Sequence, residues 1–341
     1  MEKPRRTTCD AKPITTNRRV TLAARPDGLP KESDFALDEV ETPSPGAGEV
    51  LARVLYASID PYQRGRMSEA RSYAQPLQIG DVITSQSLGE VVESNDPRVS
   101  PGDRVVGQLG WQEYAVARAG ALRAVPPEVD PPTLALHVLG ATGLTAYFGL
   151  FDVGKPRPGD TVVVSAAAGA VGQIVGQLAR LAGCRTVGIA GGPDKARALE
   201  ELYRYDVAID YKDSLDALRD EHVDVYFDNV GGEISQAVHR RLNVGARIVI
   251  CGQVSQYNEQ RPLPTVHPGL LIVYRARMEG FLVSDYAARF DEAVPRLARW
   301  VASGDLRWRE DVTEGLENAP GAFIGMLNGA NRGKTLVKIS Y

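Results

Sequence analysis

The sequence predicts a two-domain α/β protein, with a β-rich domain first and a doubly wound parallel sheet after it. Three observations carry this. The chain has 341 residues, more than a single core usually needs. Residues 18–130 hold β-branched and aromatic runs without helical spacing, divided by turn signals. From Pro131 onward, short apolar runs alternate with helical patterns, as parallel strands joined by crossover helices do.

In the first region the strand-like runs are Glu49–Ile59, Asp81–Val92, Asp103–Val106 and Tyr114–Ala117. Pro45-Gly46, Asn95-Asp96-Pro97 and Pro101-Gly102-Asp103 turn the chain between them. This describes a Greek-key or barrel-like domain. Thr133–Leu150 reads as a helix weakened by Gly140 and Gly143. Pro158-Gly159-Asp160 leads into Thr161–Ser165, an apolar run suited to a buried parallel strand. Val171, Ile174, Val175 and Leu178 then share one helix face. Strand Arg185–Ala190, helix Pro193–Tyr203, strand Val207–Asp210, helix Ser214–Arg219 and strand Val223–Phe227 follow. Helix Glu233–Leu242 and strand Ala246–Cys251 complete the alternation, and Asp285–Ser303 is a further helix. Ala319–Leu327 reads as helix and Lys334–Ile339 as a closing strand, free to return to the β domain.

Composition narrows the function. With 39 basic and 43 acidic residues the net charge is −4, and no dense Lys/Arg run occurs. That argues against a nucleic-acid binder, which needs a basic face. No apolar stretch reaches the ~18 residues of a membrane span. Residues 1–16 lack the apolar core of a secretory signal and read as a flexible tail. Cys9, Cys184 and Cys251 are too few and too odd for a disulfide framework, which suits a reducing, cytoplasmic setting.

The chemistry is concentrated in residues 164–172. Set against G-x-G-x-x-G, the key positions fall on Ala167, Gly169 and Gly172. Gly169 lets backbone approach a pyrophosphate; Gly172, with Gly176 beyond it, lets the helix lie close on the sheet. The helix start offers N–H groups and a positive dipole end to the anion. The second strand of the unit ends in Gly191-Gly192, where an NAD site would hold an acid. Asp194 lies beyond the strand, in the first turn of the next helix, where acids are favourable in any helix. Lys195 can reach a 2′-phosphate, so NADP(H) is the expected cofactor. No metal site is expected. His137, His222, His239 and His267 are scattered, and no close Cys pair exists. His137 reads as a core residue, His222 and His239 as ordinary surface residues. No nucleophile elbow occurs, and Cys251 ends an apolar strand as a small buried residue. Hydride transfer needs neither metal nor nucleophile. It needs donors for developing charge, and Tyr62, Tyr257 and Tyr274 are candidates at loops or element ends.

Several motifs together resemble one family. They are residues 58–67 (SIDPYQRGRM), 110–114 (GWQEY), 143–150 (GLTAYFGL), 167–172, 226–232 (YFDNVGG), 251–258, 277–281 (RMEGF) and 331–335 (NRGKT). Over roughly residues 17–341 the chain resembles the zinc-independent medium-chain dehydrogenase/reductases. Within them it is most similar to the leukotriene B4 12-hydroxydehydrogenase, prostaglandin reductase and 2-alkenal or curcumin reductase group. The resemblance implies a GroES-like β-barrel domain over 17–136 and 312–341, and a Rossmann NADP-binding domain over 137–311. It implies a homodimer and reduction of the C=C bond of small-molecule enals and enones. Alternatives are a quinone reductase or alcohol dehydrogenase of the same superfamily, or a non-catalytic NADPH-binding module.

Carried over residue by residue, the resemblance implies cofactor contacts at Gly169, Ala170, Val171, Gly172, Gly191, Lys195, Tyr211, Asn229, Cys251, Gly252, Tyr257, Phe281, Leu282, Val283 and Asn331. It implies substrate contacts at Tyr62 and Tyr257, and a catalytic Tyr274 beside the nicotinamide. The chain departs from the family at Gln63, often Met, and at Ala141-Thr142, often Met-Pro, both near the expected pocket. It also departs at Tyr203-Arg204-Tyr205-Asp206, usually Leu-Gly-Phe-Asp.

Overall fold

The computed structural model describes residues 16–70, 72–259 and 268–340. The expected tail up to residue 15, with Cys9, and also His267 lie outside the described residues. Six strands form one sheet in the order Val207–Asp210, Arg185–Ala190, Thr161–Ser165, Val223–Asp228, Leu242–Ile250, Arg277–Gly280. Every pairing is parallel. Counted along the chain the order is 3-2-1-4-5-6, that of a Rossmann domain. Val162 and Val164 face one core with Ile174, Val175 and Leu178. Val163 faces another with Ile234 and Val238. With both faces covered, the central strands carry apolar runs.

Glu310–Glu314, Lys334–Lys338, Glu49–Ser58, Gln86–Ser94, Arg104–Gln108 and Arg123–Ala124 form the second sheet, with Tyr114–Arg118 paired to Glu49–Ser58. Lys334–Lys338 lies antiparallel to Glu49–Ser58, so the closing strand does return to the β domain. Strands Thr16–Leu22 and Phe35–Glu41 pair beside it. Trp111 anchors this core, stacked on Phe35 at 5.9 Å and meeting Phe323 edge-on at 5.9 Å.

Some expected elements differ. Thr133–Leu150 divides into a 3-10 turn Pro132–Leu136 and an α-helix Ala141–Phe148 that runs on as a π turn to Gly154. A Cβ on Gly143 would fall 1.8 Å from the Val138 carbonyl oxygen, so the two glycines mark a sharp fold-back. Ser214–Arg219 closes only as the 3-10 turn Asp216–Asp220. Helix Gly232–His239 stops early, because strand Leu242–Ile250 begins four residues before the expected Ala246.

At Arg204 the backbone takes φ +58°, the left-handed region where a side chain costs about 1–2 kcal/mol. Its neighbours Tyr203 and Tyr205 are buried, and Tyr205 Oη donates to Gly172 O at 2.7 Å. A Cβ on Gly176 would lie 2.0 Å from Tyr205 Cζ. The glycine therefore makes room for this ring rather than only for the sheet. Arg204→Gly is expected to stabilise the protein by about 0.5–1 kcal/mol, after the flexibility glycine adds to the unfolded chain. Thermal unfolding checks this; a lowered midpoint would mean that the Arg204 side chain outweighs its backbone strain.

Candidate active site

A cavity of about 1400 Å³ runs along the seam between the domains. It sits where strand order reverses, between Thr161–Ser165 and Val223–Asp228, the usual ligand crevice of such sheets. Hydrogen bonds hold these two strand ends together. Ser165 Oγ donates to Asp228 Oδ1 at 3.0 Å and accepts from Asn229 N at 2.9 Å. Asn229 Nδ2 donates to Ser165 O at 2.8 Å. Fully buried Asp228 also accepts from Tyr226 Oη and from the Val230 and Gly231 N–H groups.

Gly169, Ala170, Val171 and Gly172 line the cavity. A Cβ on Gly172 would fall 2.4 Å from Ala166 O and 2.7 Å from Ala167 Cα. Only glycine fits where backbone meets backbone this closely. Helix Gly172–Leu181 starts without a side-chain cap, which leaves its N-terminus available to an anion.

A second corner gathers Gly191, Lys195, Tyr211, Lys212 and Asn331. The Tyr211 ring covers Gly191, whose Cβ would meet Cε1 at 2.7 Å. Lys195 Nζ donates to Gly329 O at 2.8 Å. Burial lowers the Lys195 pKa, and the nearby Lys212 and Arg332 lower it further, against an opposing pull from Asp311. Crowded cations that line this corner suit a dianion. Asp194 is absent from the wall and is paired at the surface with Arg332 at 3.2 Å.

The other end of the cavity holds Tyr62, Asn229, Cys251, Gly252, Tyr257, Phe281, Leu282 and Val283. Tyr62 Oη is buried and makes no hydrogen bond. Burial, with Asp60, raises its pKa well above the ordinary phenol value, while the Gln108 side chain and Arg66 pull the other way. Tyr257 Oη accepts from Gln253 N at 3.4 Å, and burial raises its pKa too. Burial and Asp228 push the Cys251 thiol up to about 12, so it stays neutral and unreactive.

Sequence reasoning missed three features here. Asp60, in the wall, is held by fully buried Lys334 at 2.6 Å and by Ser58 Oγ. Lys334 is far from Asp60 in sequence, and only the returning strand joins them. Tyr73 also lines the wall, from an irregular stretch with no periodic signal. His137 is fully buried, as expected of a core residue, but its Nε2 lies 3.2 Å from the carbonyl oxygen of Ala170 in the phosphate loop. Its Nδ1 faces Glu310 at 3.7 Å. Burial lowers its pKa, so the neutral ring donates from Nε2 and braces that loop.

Other expectations need correction. Tyr274 is not in the cavity wall. It ends helix Pro268–Tyr274, packs against the apolar cluster of Ile234 and Val238, and its Oη donates to Arg240 O at 3.3 Å. Arg275 at φ +47° turns the chain there into the edge strand. Gln63 is likewise out of the wall. It is fully buried, accepts from Asp60 N at 2.8 Å and donates to Thr84 O at 2.7 Å. Ala141 and Thr142 do line the cavity. His239 is buried rather than exposed, with its ring edge-on to Tyr226 at 5.7 Å. Among the described residues no three His, Cys, Asp or Glu gather to hold a metal.

Two family models match the chain: an N-terminal domain of oxidoreductase over residues 18–125, and a zinc-binding dehydrogenase model over 170–299. The NADPH-dependent curcumin reductase of Escherichia coli is 42% identical over 95% of this chain and 97% of its own length. Prostaglandin reductase 1 of Rattus norvegicus is 41% identical over 93% and 98%. The crystal structure of CurA from Vibrio vulnificus in complex with NADPH superposes with a TM-score of 0.90 at 41% identity, covering 95% of this chain and 99% of that one. At this level of identity over nearly the whole length, the chain belongs to the medium-chain dehydrogenase/reductase family, in the branch that holds the curcumin and prostaglandin reductases.

Proposed function

We propose that this protein is an NADPH-dependent reductase of the C=C bond in α,β-unsaturated aldehydes and ketones. One observation carries the reading. The phosphate loop, the Lys195 corner and the Tyr62 and Tyr257 side chains all open into one cavity. A module that only held the cofactor would need the first two alone. The residues fit the dinucleotide, with a glycine cradle that a Cβ at Gly172 would fill and a lysine with no carboxylate partner. The reductases and the NADPH complex named above support the same reading.

NADPH, when bound, supplies a hydride to the β-carbon of the conjugated carbonyl. The chain's own residues orient the acceptor and stabilise the charge that then grows on its carbonyl oxygen. Tyr62 is the hydroxyl assigned to that oxygen. Its Oη is buried without a hydrogen-bond partner, with the Gln108 side chain close by, and its raised pKa keeps it a donor at neutral pH. Asp60 is paired with Lys334, which offsets part of the charge that it sets against the Tyr62 hydroxyl. Tyr257, Phe281 and Leu282 line the same cavity, and a proton taken up at the α-carbon completes the reduction. The two free thiols among the described residues, Cys184 and Cys251, suit a cytoplasmic setting, and the resemblance supports a homodimer.

An enone incubated with the protein and NADPH is expected to give the saturated ketone, its carbonyl intact. An allylic alcohol as the main product, or NADPH consumption with quinones alone, would overturn the reading.

A further inference from the structure

Ala166, Gly169 and Val171 of the phosphate loop turn their carbonyl oxygens to N–H groups of the same turn and of helix Gly172–Leu181. Ala170 does not. Its oxygen reaches His137 Nε2 at 3.2 Å, 33 positions back along the chain. That oxygen only accepts, so Nε2 carries the proton whether the ring is neutral or charged. His137 is itself fixed in place. Its carbonyl oxygen accepts from Gly140 N at 3.1 Å, from Gly143 N at 3.0 Å and from Thr142 Oγ1 at 3.0 Å. Glu310, held by Thr133 Oγ1 at 2.8 Å, stands 3.7 Å from the other ring nitrogen.

A trans peptide points its C=O and the next N–H in opposite directions. The one cis bond among the described residues is Asp130-Pro131, so the peptide between Ala170 and Val171 is trans. With its oxygen turned to His137, its N–H is aimed the other way. His137 is fully buried and outside the cavity wall, whereas Ala170 and Val171 belong to that wall. Val171 is also the N-cap of helix Gly172–Leu181, which has no side-chain cap. Flipping this one peptide would set a carbonyl oxygen at the helix start in place of an N–H, and the oxygen would repel an anion. Without a donor at position 137 the inward oxygen would be unpaired, a loss that favours the flip.

We infer that His137 is a positioning residue for the diphosphate of the dinucleotide: by holding the Ala170 carbonyl inward, it keeps the Val171 N–H turned toward the cavity as a donor for the bridging phosphates. The inference rests on the NADPH reading above and adds to it a residue outside the cavity wall. The two cofactor determinants then divide by ligand group. Lys195 addresses the 2′-phosphate, which NADH lacks, while the diphosphate is common to NADPH and NADH. Loss of His137 therefore acts on both dinucleotides alike and spares a ligand without the bridge.

Calorimetry on the full chain tests this with NADPH, NADH and adenosine 2′-monophosphate, which carries the 2′-phosphate but no diphosphate. In His137→Leu the Kd values of NADPH and NADH are expected to rise by the same factor, about 5- to 50-fold. That of adenosine 2′-monophosphate should stay within about twofold of wild type, which also shows the fold intact. His137→Gln, whose side-chain amide can donate to the same carbonyl, should regain most of the loss. Thr142→Val removes one anchor of His137 at constant shape, and is expected to show the same pattern at about two- to fivefold. Unchanged dinucleotide affinity in His137→Leu, a loss confined to NADPH, an equal loss of adenosine 2′-monophosphate by the folded variant, or no recovery in His137→Gln would overturn the inference. Should His137→Leu fail to fold, an unaltered Thr142→Val would overturn it as well. A wild type that binds neither dinucleotide would sink the NADPH reading itself, and the inference with it.

Discussion

Lys195→Ala is expected to weaken NADPH binding by roughly 10- to 150-fold and to leave NADH almost untouched. A charge-assisted contact to a phosphate contributes about 1.5–3 kcal/mol, and each 1.4 kcal/mol is about a factor of ten. The lysine's present partner is the neutral Gly329 carbonyl, which a dianion readily replaces. Lys212 and Arg332 crowd the same ammonium, and a phosphate placed among the three relieves their repulsion. NADH lacks that phosphate, so a comparison of the two cofactors in one mutant separates recognition from damage. Equal losses for both would make Lys195 a structural link between the helix Pro193–Glu201 and Gly329. Fluorescence titration with each dinucleotide checks the result.

Tyr62→Phe should lower kcat by roughly ten- to a thousand-fold, the range for a lost acid or oxyanion donor, with NADPH affinity little changed. Tyr274→Phe should leave kcat within about twofold. The structure separates the two tyrosines. Tyr62 Oη is buried without a hydrogen bond in the cavity wall, while Tyr274 Oη is turned to the Arg240 carbonyl outside that wall. Steady-state kinetics on both variants decides it. A large loss in Tyr274→Phe with an unchanged Tyr62→Phe would reverse the assignment.

The Rossmann half of the fold was legible because its strands are buried on both faces. The central residues of two of them, 162–164 (VVV) and 225–227 (VYF), read as apolar runs for that reason. The sixth strand, Arg277–Gly280, was not legible: it is the exposed edge, and its residues carry no apolar run. The fold-back at Gly140 and Gly143 was also hidden. Glycine in a helical pattern signals weakness, not the backbone contact that makes it necessary.

The phosphate loop could be found because its glycines are a local requirement. Lys195 and Tyr211 stand out because they follow consecutive strands of one sheet. Tyr274 matches the motif but lies apart from the cavity wall, since a motif fixes a residue's neighbours in sequence and not the direction of its side chain. Here the left-handed Arg275 and the apolar cluster under the ring set that direction. Asp60, Lys334 and His137 gained their roles only from tertiary structure. Lys334 meets Asp60 because the last strand returns to Glu49–Ser58, a pairing no local pattern encodes.

Transfer of label tests the central claim most directly. The protein is incubated with an enone and NADPH deuterated at the transferable C4 position, and the product is read by NMR. The cavity as described predicts a saturated ketone with deuterium on the β-carbon and none on the carbonyl carbon. Deuterium on a carbinol carbon, with the C=C bond kept, would contradict it.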